Sequence, residues 1–217
     1  MGNADYVCAM EDVLEVYKRP YDEAHPLICM DESSKQHTLE VRESLPMEPG
    51  QPMRFDTEYE RNGVSSLFMF FEPLAGKRVV NVCDRRTAID WAHQIKELVD
   101  VHYPNAKKIS LVMDNLNTHV GGSLYKAFEP AEAKRILDRL EIHYTPKHGS
   151  WLNMAEIELS ILSRQCLDRR IPDQQTLKQE VAAWANARNA QAMPMEWRFT
   201  TEDARIKLKK LYPVIIS

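Results

Sequence analysis

Two short apolar runs in this chain stop on an acid. Residues 26–33 read Pro-Leu-Ile-Cys-Met-Asp-Glu-Ser, and residues 107–114 pass through Ile109, Leu111, Val112 and Met113 to Asp114. Runs of this length are candidate buried strands, and an acid at the end of each then lies at the rim of a sheet. Residues 65–72, Ser-Ser-Leu-Phe-Met-Phe-Phe-Glu, predict a third and strongly apolar strand. Residues 73–76 read as a turn, and residues 77–83 as an antiparallel return. Residues 35–42 predict a strand beside the first, and Pro46, Pro49, Gly50 and Pro52 mark a loop.

Helical spacing fills most of the rest. Val7, Met10, Val13, Leu14 and Tyr17 predict an amphipathic helix within residues 1–24, ended by Pro20. Thr87 is a candidate N-cap for a helix over 87–101, with Ile89, Ala92, Ile95, Leu98 and Val99 on its inner face. Residues 130–140 predict a short helix and 141–145 a short strand. A helix over 151–169 carries Leu152, Ala155, Leu159, Leu162 and Cys166 as its apolar stripe. Two further helices are predicted over 173–190 and 202–211. The division this implies is a helical extension (1–24), a main domain (25–192) and a helical tail (193–217).

Strand, hairpin, helix, strand, helix, strand and long helix in that order predict an α/β protein whose sheet contains both pairing directions. The succession resembles the ribonuclease H-like fold, a mixed central sheet with helices on both faces. A flavodoxin-like or Rossmann sheet is the competing architecture, but no glycine-rich turn follows a strand to cradle a phosphate.

Composition narrows the function classes. The chain has 217 residues, 44% hydrophobic and 28% charged, as in an ordinary globular protein. No apolar run approaches the roughly 20 residues that span a bilayer, and no signal peptide is evident, so a cytoplasmic protein without membrane association is expected. Cys8, Cys29, Cys83 and Cys166 are scattered without zinc or redox spacing, which predicts reduced thiols. The net charge of −4 gives no general attraction for nucleic acid. The imbalance is local, however: residues 1–63 hold 6 Lys/Arg against 14 Asp/Glu, and residues 64–217 hold 22 against 18. A phosphate-binding face is therefore expected in the later part.

Asp31 and Asp114 at strand ends, with a glutamate from the helix beginning near Trp151, could form an oxygen-only cage for Mg²⁺ or Mn²⁺. Glu156 and Glu158 both lie about 80° from the centre of the apolar stripe, on opposite shoulders, so periodicity does not choose between them. Glu32, next to Asp31 on a strand, should face the other way and be structural.

Three segments carry a family resemblance. They are Met30-Asp31-Glu32-Ser33-Ser34-Lys35-Gln36, Asp114-Asn115-Leu116-Asn117-Thr118-His119, and Tyr144 through Glu156 with the sequence Tyr-Thr-Pro-Lys-His-Gly-Ser-Trp-Leu-Asn-Met-Ala-Glu. In these the chain resembles DDE transposases of the mariner-like superfamily, in its bacterial insertion-sequence branch. The resemblance implies an enzyme that cuts DNA at transposon ends and joins the freed 3′-hydroxyl to target DNA, using two Mg²⁺ or Mn²⁺ ions. It assigns Asp31, Asp114 and Glu156 as the catalytic and metal-binding triad, with Asn153 in an Asn-x-x-Glu pattern selecting Glu156. Glu158 then becomes a solvated or salt-bridged face residue. Lys35, His119, Lys147, His148, Trp151 and Arg164 are candidate DNA contacts, and a homodimer is the family's expectation. Two departures accompany the resemblance. The chain starts too late for the family's N-terminal helix-turn-helix region, and 41 residues separate Asp114 from Glu156, which implies an insertion near residues 121–130. Another ribonuclease H-like nuclease, or an inactive transposon remnant that binds DNA or protein, are the rival readings.

Overall fold

A computed structural model describes residues 3–41, 49–50 and 58–214. Its centre is a five-stranded sheet of β1 (Leu27–Glu40), β2 (Tyr59–Glu72), β3 (Lys77–Cys83), β4 (Ile109–Met113) and β5 (Leu140–Tyr144). The order across the sheet is β3-β2-β1-β4-β5. β1–β2 and β2–β3 pair antiparallel, whereas β1–β4 and β4–β5 pair parallel. The antiparallel half excludes the doubly wound Rossmann and flavodoxin-like sheets.

Strict alternation explains how the sheet is covered on both faces. Cys29 of β1, Leu67, Met69 and Phe71 of β2, and Val112 of β4 belong to one apolar cluster. Ile28 and Met30, Phe68 and Phe70, and Ile109, Leu111 and Met113 belong to the other. The first cluster is closed by α1 (Ala4–Tyr17), α5 (Met154–Leu162), α6 (Gln174–Gln191) and α7 (Thr201–Lys207). The second is closed by α2 (Ala88–Glu97), α3 (Gly121–Ala127) and α4 (Pro130–Asp138). Residues of 1–24 and 193–217 thus share a core with the sheet rather than standing apart from it.

Several elements differ from expectation. Residues 35–40 continue β1 instead of forming a neighbouring strand, because β2 extends alongside them as far as Tyr59. The extension pairs with β2 across a bulge between Gln36 and Thr38. β2 accordingly starts at Tyr59, six residues before its apolar run. Ile89, expected inside, is 49% exposed, and Trp91 takes the inner position, fully buried. Residues 121–127 form a helix that Gly121 and Gly122 conceal in the sequence, since glycine is a poor helix former. Of the loop marked by Pro46, Pro49, Gly50 and Pro52, Pro49 and Gly50 are described and lie in a turn, and Pro46 and Pro52 lie outside the described residues. No helix of the described residues is long and apolar enough to cross a membrane.

Candidate active site

Register sets the two aspartates side by side. β1 and β4 pair in parallel with Cys29 opposite Val112, so Asp31 and Asp114 each lie two residues further along. Alternation puts Asp31 on the face of Cys29, which is the face covered by α5, and Asp114 follows directly on the end of β4.

The glutamate arrives through a single asparagine. Asn153 caps α5, its side chain accepting a hydrogen bond from the Ala155 N–H at 3.1 Å. Its amide nitrogen donates to the Met30 carbonyl at 2.8 Å, one residue before Asp31. One buried side chain therefore starts the helix and fastens that start to β1, which leaves Glu156 in the first turn facing the aspartates. From below, the Tyr17 hydroxyl of α1 donates to the Leu152 carbonyl at 2.6 Å. Gly149 makes the preceding turn possible, since a Cβ there would lie 2.5 Å from Pro146 Cγ. Asn153→Ala is expected to destabilise the fold by about 2–3 kcal/mol, from a lost cap and an unmet buried carbonyl. Urea denaturation of the variant measures this.

Burial pushes the Asp31 carboxyl up to about 7, opposed by the Glu32 N–H that donates to it and reinforced by the negative charges of Glu156 and Asp114. The Glu32 N–H lies 2.7 Å from Asp31 Oδ1. Asp31 thus feels the charge of both other acids. Among the described residues, no three His, Cys, Asp or Glu side chains are gathered into a ready-made cage. Their donor set, carboxylate oxygen only, suits a hard divalent cation such as Mg²⁺ or Mn²⁺.

The other candidates divide. Glu156, Trp151 and Arg164 share an open groove of about 260 Å³ with Asn153, Ile157 and Ser160. Trp151 is 41% exposed, its indole N–H donating to the Tyr6 hydroxyl at 3.1 Å and its ring packing on Trp197 and Phe199. Lys147 and His148 are exposed in the loop before it. Lys35 and His119 do not fit a DNA-contact role. The Lys35 ammonium donates to the carbonyls of Leu167 and Arg169, at 2.5 and 2.9 Å, where it caps the turn that follows α5. His119 is fully buried between Asp114 and Glu32. Burial acts to lower its pKa, but the hydrogen bonds to both carboxylates raise it to about 9.

Sequence reasoning missed the partner of Glu158. This side chain is 1% exposed and sits between Arg78 of β3 and Arg188 of α6. It is the salt-bridged face residue of the two alternatives, but buried. Nothing local marks it, because the arginines are 80 and 30 residues away in the sequence.

The family of DDE superfamily endonucleases matches residues 26–178. No curated protein matches the chain. Among solved structures, a pre-cleavage Mos1 transpososome is similar with a TM-score of 0.61 at 14% identity, covering all of this chain and 65% of that one. The mariner Mos1 paired-end complex with Mg gives 0.59 at 16% identity, covering 97% and 64%. The catalytic domain of Mos1 mariner transposase gives 0.56 at 11% identity and covers 89% of each chain. At such identities the likeness establishes the shared ribonuclease H-like fold. The chain spans 60% of the length of the Mos1 transposase solved with the left transposon end. Because the family match runs over well beyond half of the sequence and takes in Asp31, Asp114 and Glu156, the chain belongs to the DDE superfamily endonucleases.

Proposed function

We propose that this chain is the catalytic domain of a transposase that cuts DNA strands and joins them to a target. Asp31, Asp114 and Glu156 are its metal ligands. The reading is supported by the placement of Asp31, within β1, beside Asp114, just past the end of β4. Two aspartates leave adjacent parallel strands in register, and Asn153 fastens the helix bearing Glu156 to the residue before Asp31. Two bound Mg²⁺ or Mn²⁺ ions would supply nucleophile activation and charge stabilisation at the leaving oxygen.

The protein's own residues then hold and align. Asp31 sits within β1 and Asp114 one residue past β4, the strand paired with it, and Glu156 comes from the first turn of α5, whose start Asn153 ties to β1. DNA would lie along the exposed face of α5, where Trp151 offers a stacking surface and Arg164, Lys147 and His148 offer positive or hydrogen-bonding groups to phosphates. Transposon ends and target are the expected DNAs. Pairing of two ends in a dimer, a cytoplasmic location and membership of the bacterial insertion-sequence branch belong to the same reading.

Two measurements test it. Nicking of supercoiled plasmid in Mn²⁺, assayed together with joining of a 3′-hydroxyl oligonucleotide to that plasmid, should show both activities. Cutting without joining would favour another ribonuclease H-like nuclease, and neither would favour an inactive remnant. Separately, the buried and mutually repelling carboxylates should cost stability when no cation is present. Asp31→Asn is therefore expected to raise the melting temperature of the metal-free protein at pH 8 by about 3–6 °C. The same variant should lose the calorimetric heat of Mn²⁺ binding. An unchanged heat would remove Asp31 from the site.

A further inference from the structure

The imidazole of His119 lies between two acids that come from different elements. Its Nε2 is 2.8 Å from Glu32 Oε1 of β1, and its Nδ1 meets Asp114 Oδ1 after β4. A carboxylate oxygen accepts, so either ring nitrogen can serve as donor to the acid that it meets. The ring is fully buried and stacks on Trp91 of α2, with centroids 5.8 Å apart and planes at 29°.

The main chain at this point is held as firmly as the ring. The His119 N–H donates to the Leu116 carbonyl at 2.9 Å, and the His119 carbonyl accepts from the Tyr144 hydroxyl of β5 at 2.8 Å. Ser123 of α3 donates to the Thr118 carbonyl at 2.8 Å. Residues 115–117 between Asp114 and this anchor are exposed. An aspartate that leads into an exposed loop has two free side-chain torsions, and the His119 contact fixes one of its oxygens from within the core.

We propose that Glu32 and His119 form a positioning relay: Glu32 fixes the ring, and the ring fixes Asp114 so that its second oxygen is offered to a divalent cation. The inference rests on the reading of Asp114 as a metal ligand. Glu32 thereby acquires a role on the sheet face opposite Asp31. The two neighbouring acids of β1 serve the same site from its two sides, one directly and one through the histidine. Outer partners of this kind typically change metal affinity about 10–100-fold when removed.

Asparagine and glutamine separate the two ends of the relay. The amide nitrogen of Asn reaches about where a histidine Nδ1 lies, and that of Gln about where Nε2 lies. His119→Asn therefore keeps a donor for Asp114, and His119→Gln keeps one only for Glu32. Mn²⁺ affinity of the whole purified chain, read from the electron paramagnetic resonance signal of free Mn²⁺, is the measurement. Folding is checked by circular dichroism.

Mn²⁺ binding within about threefold of the unaltered chain is expected for His119→Asn and Glu32→Gln, against a loss of about 10–100-fold for His119→Gln and Glu32→Ala. Equal affinities for the Asn and Gln variants would overturn the relay, as would unchanged affinity in Glu32→Ala. A merely structural histidine predicts that pattern, with losses confined to melting temperature. Should Glu32→Ala not fold, the near-isosteric Asn and Gln pair decides alone. Asp114→Ala is the control. If it binds Mn²⁺ normally, the ligand reading falls and the relay with it; if it loses Mn²⁺ while His119→Gln does not, only the relay falls.

Discussion

Asp114→Asn is expected to reduce Mn²⁺-dependent nicking and joining by on the order of 10³-fold or more, because a metal's charge stabilisation amounts to several kcal/mol and each 1.4 kcal/mol is tenfold in rate. The substitution is chosen for what it preserves. Asp114 lies just beyond β4, outside the paired strand. The amide oxygen of Asn can still accept from His119, whereas alanine would leave a buried ring nitrogen without a partner, at about 1–3 kcal/mol. Asp114→Ala should therefore lose activity to the same extent and some stability besides. Comparing the two separates chemistry from scaffold. If the Asn variant melts normally yet nicks within tenfold of the unaltered chain, Asp114 does not hold the metal.

Most of the sheet is legible in the sequence, and the reasons are local. β3 runs over Lys77–Cys83 as predicted, because the turn at 73–76 and the apolar run before it pin the register. The capped helix starts at Thr87 and Asp173 are equally plain, each with a side chain accepting from the first turn. Where the reading misses, the deciding contact is distant. β1 continues to Glu40 because β2 extends alongside it, a fact about pairing that no window along β1 contains. Trp91 takes the inward position expected of Ile89 and stacks on His119, which is 28 residues away.

The site divides in the same way. Asp31 and Asp114 stand at the ends of apolar runs, so period and position point to them. Periodicity leaves Glu156 and Glu158 equivalent, and the physical difference is supplied by Asn153, which ties the first turn of α5 to Met30. Once that tie is made, Glu156 has to face β1 and Glu158 has to turn toward β3 and α6. His119 reads as a polar loop residue because its surroundings in sequence are Asn, Leu, Asn and Thr. Its burial follows from α2, α3 and β5 closing over it, which a linear reading cannot weigh.

Glu158 yields the largest expected stability effect. Its carboxylate lies 2.9 Å from Arg78 Nε and 3.1 Å from Arg188, with the Glu158 and Arg78 side chains each 1% exposed. The Arg78 approach lacks hydrogen-bond alignment, so its attraction is coulombic. Burial pushes the Arg78 guanidinium down, against the pull of Glu158. Arg78 is also clasped by Asn189 of α6, whose side-chain oxygen accepts from its N–H at 2.9 Å, and it lies over the Phe71 ring at 5.2 Å. Glu158→Ala would leave two guanidinium groups facing one another with no anion between them. Breaking a buried pair from one side costs about 3–5 kcal/mol, which for a chain of this size lowers the melting temperature by about 6–20 °C. Glu158→Gln should recover little, since it restores an acceptor without the charge. Changing all three residues to apolar ones of similar volume should recover most of the loss, because a buried ion triad contributes little beyond its own desolvation. Chemical denaturation of the single and triple variants tests both halves. A loss under 1 kcal/mol for Glu158→Ala would mean that the arginines find water or another anion. It would also remove the reason for α5 to present its other shoulder, and Glu156, to the aspartates.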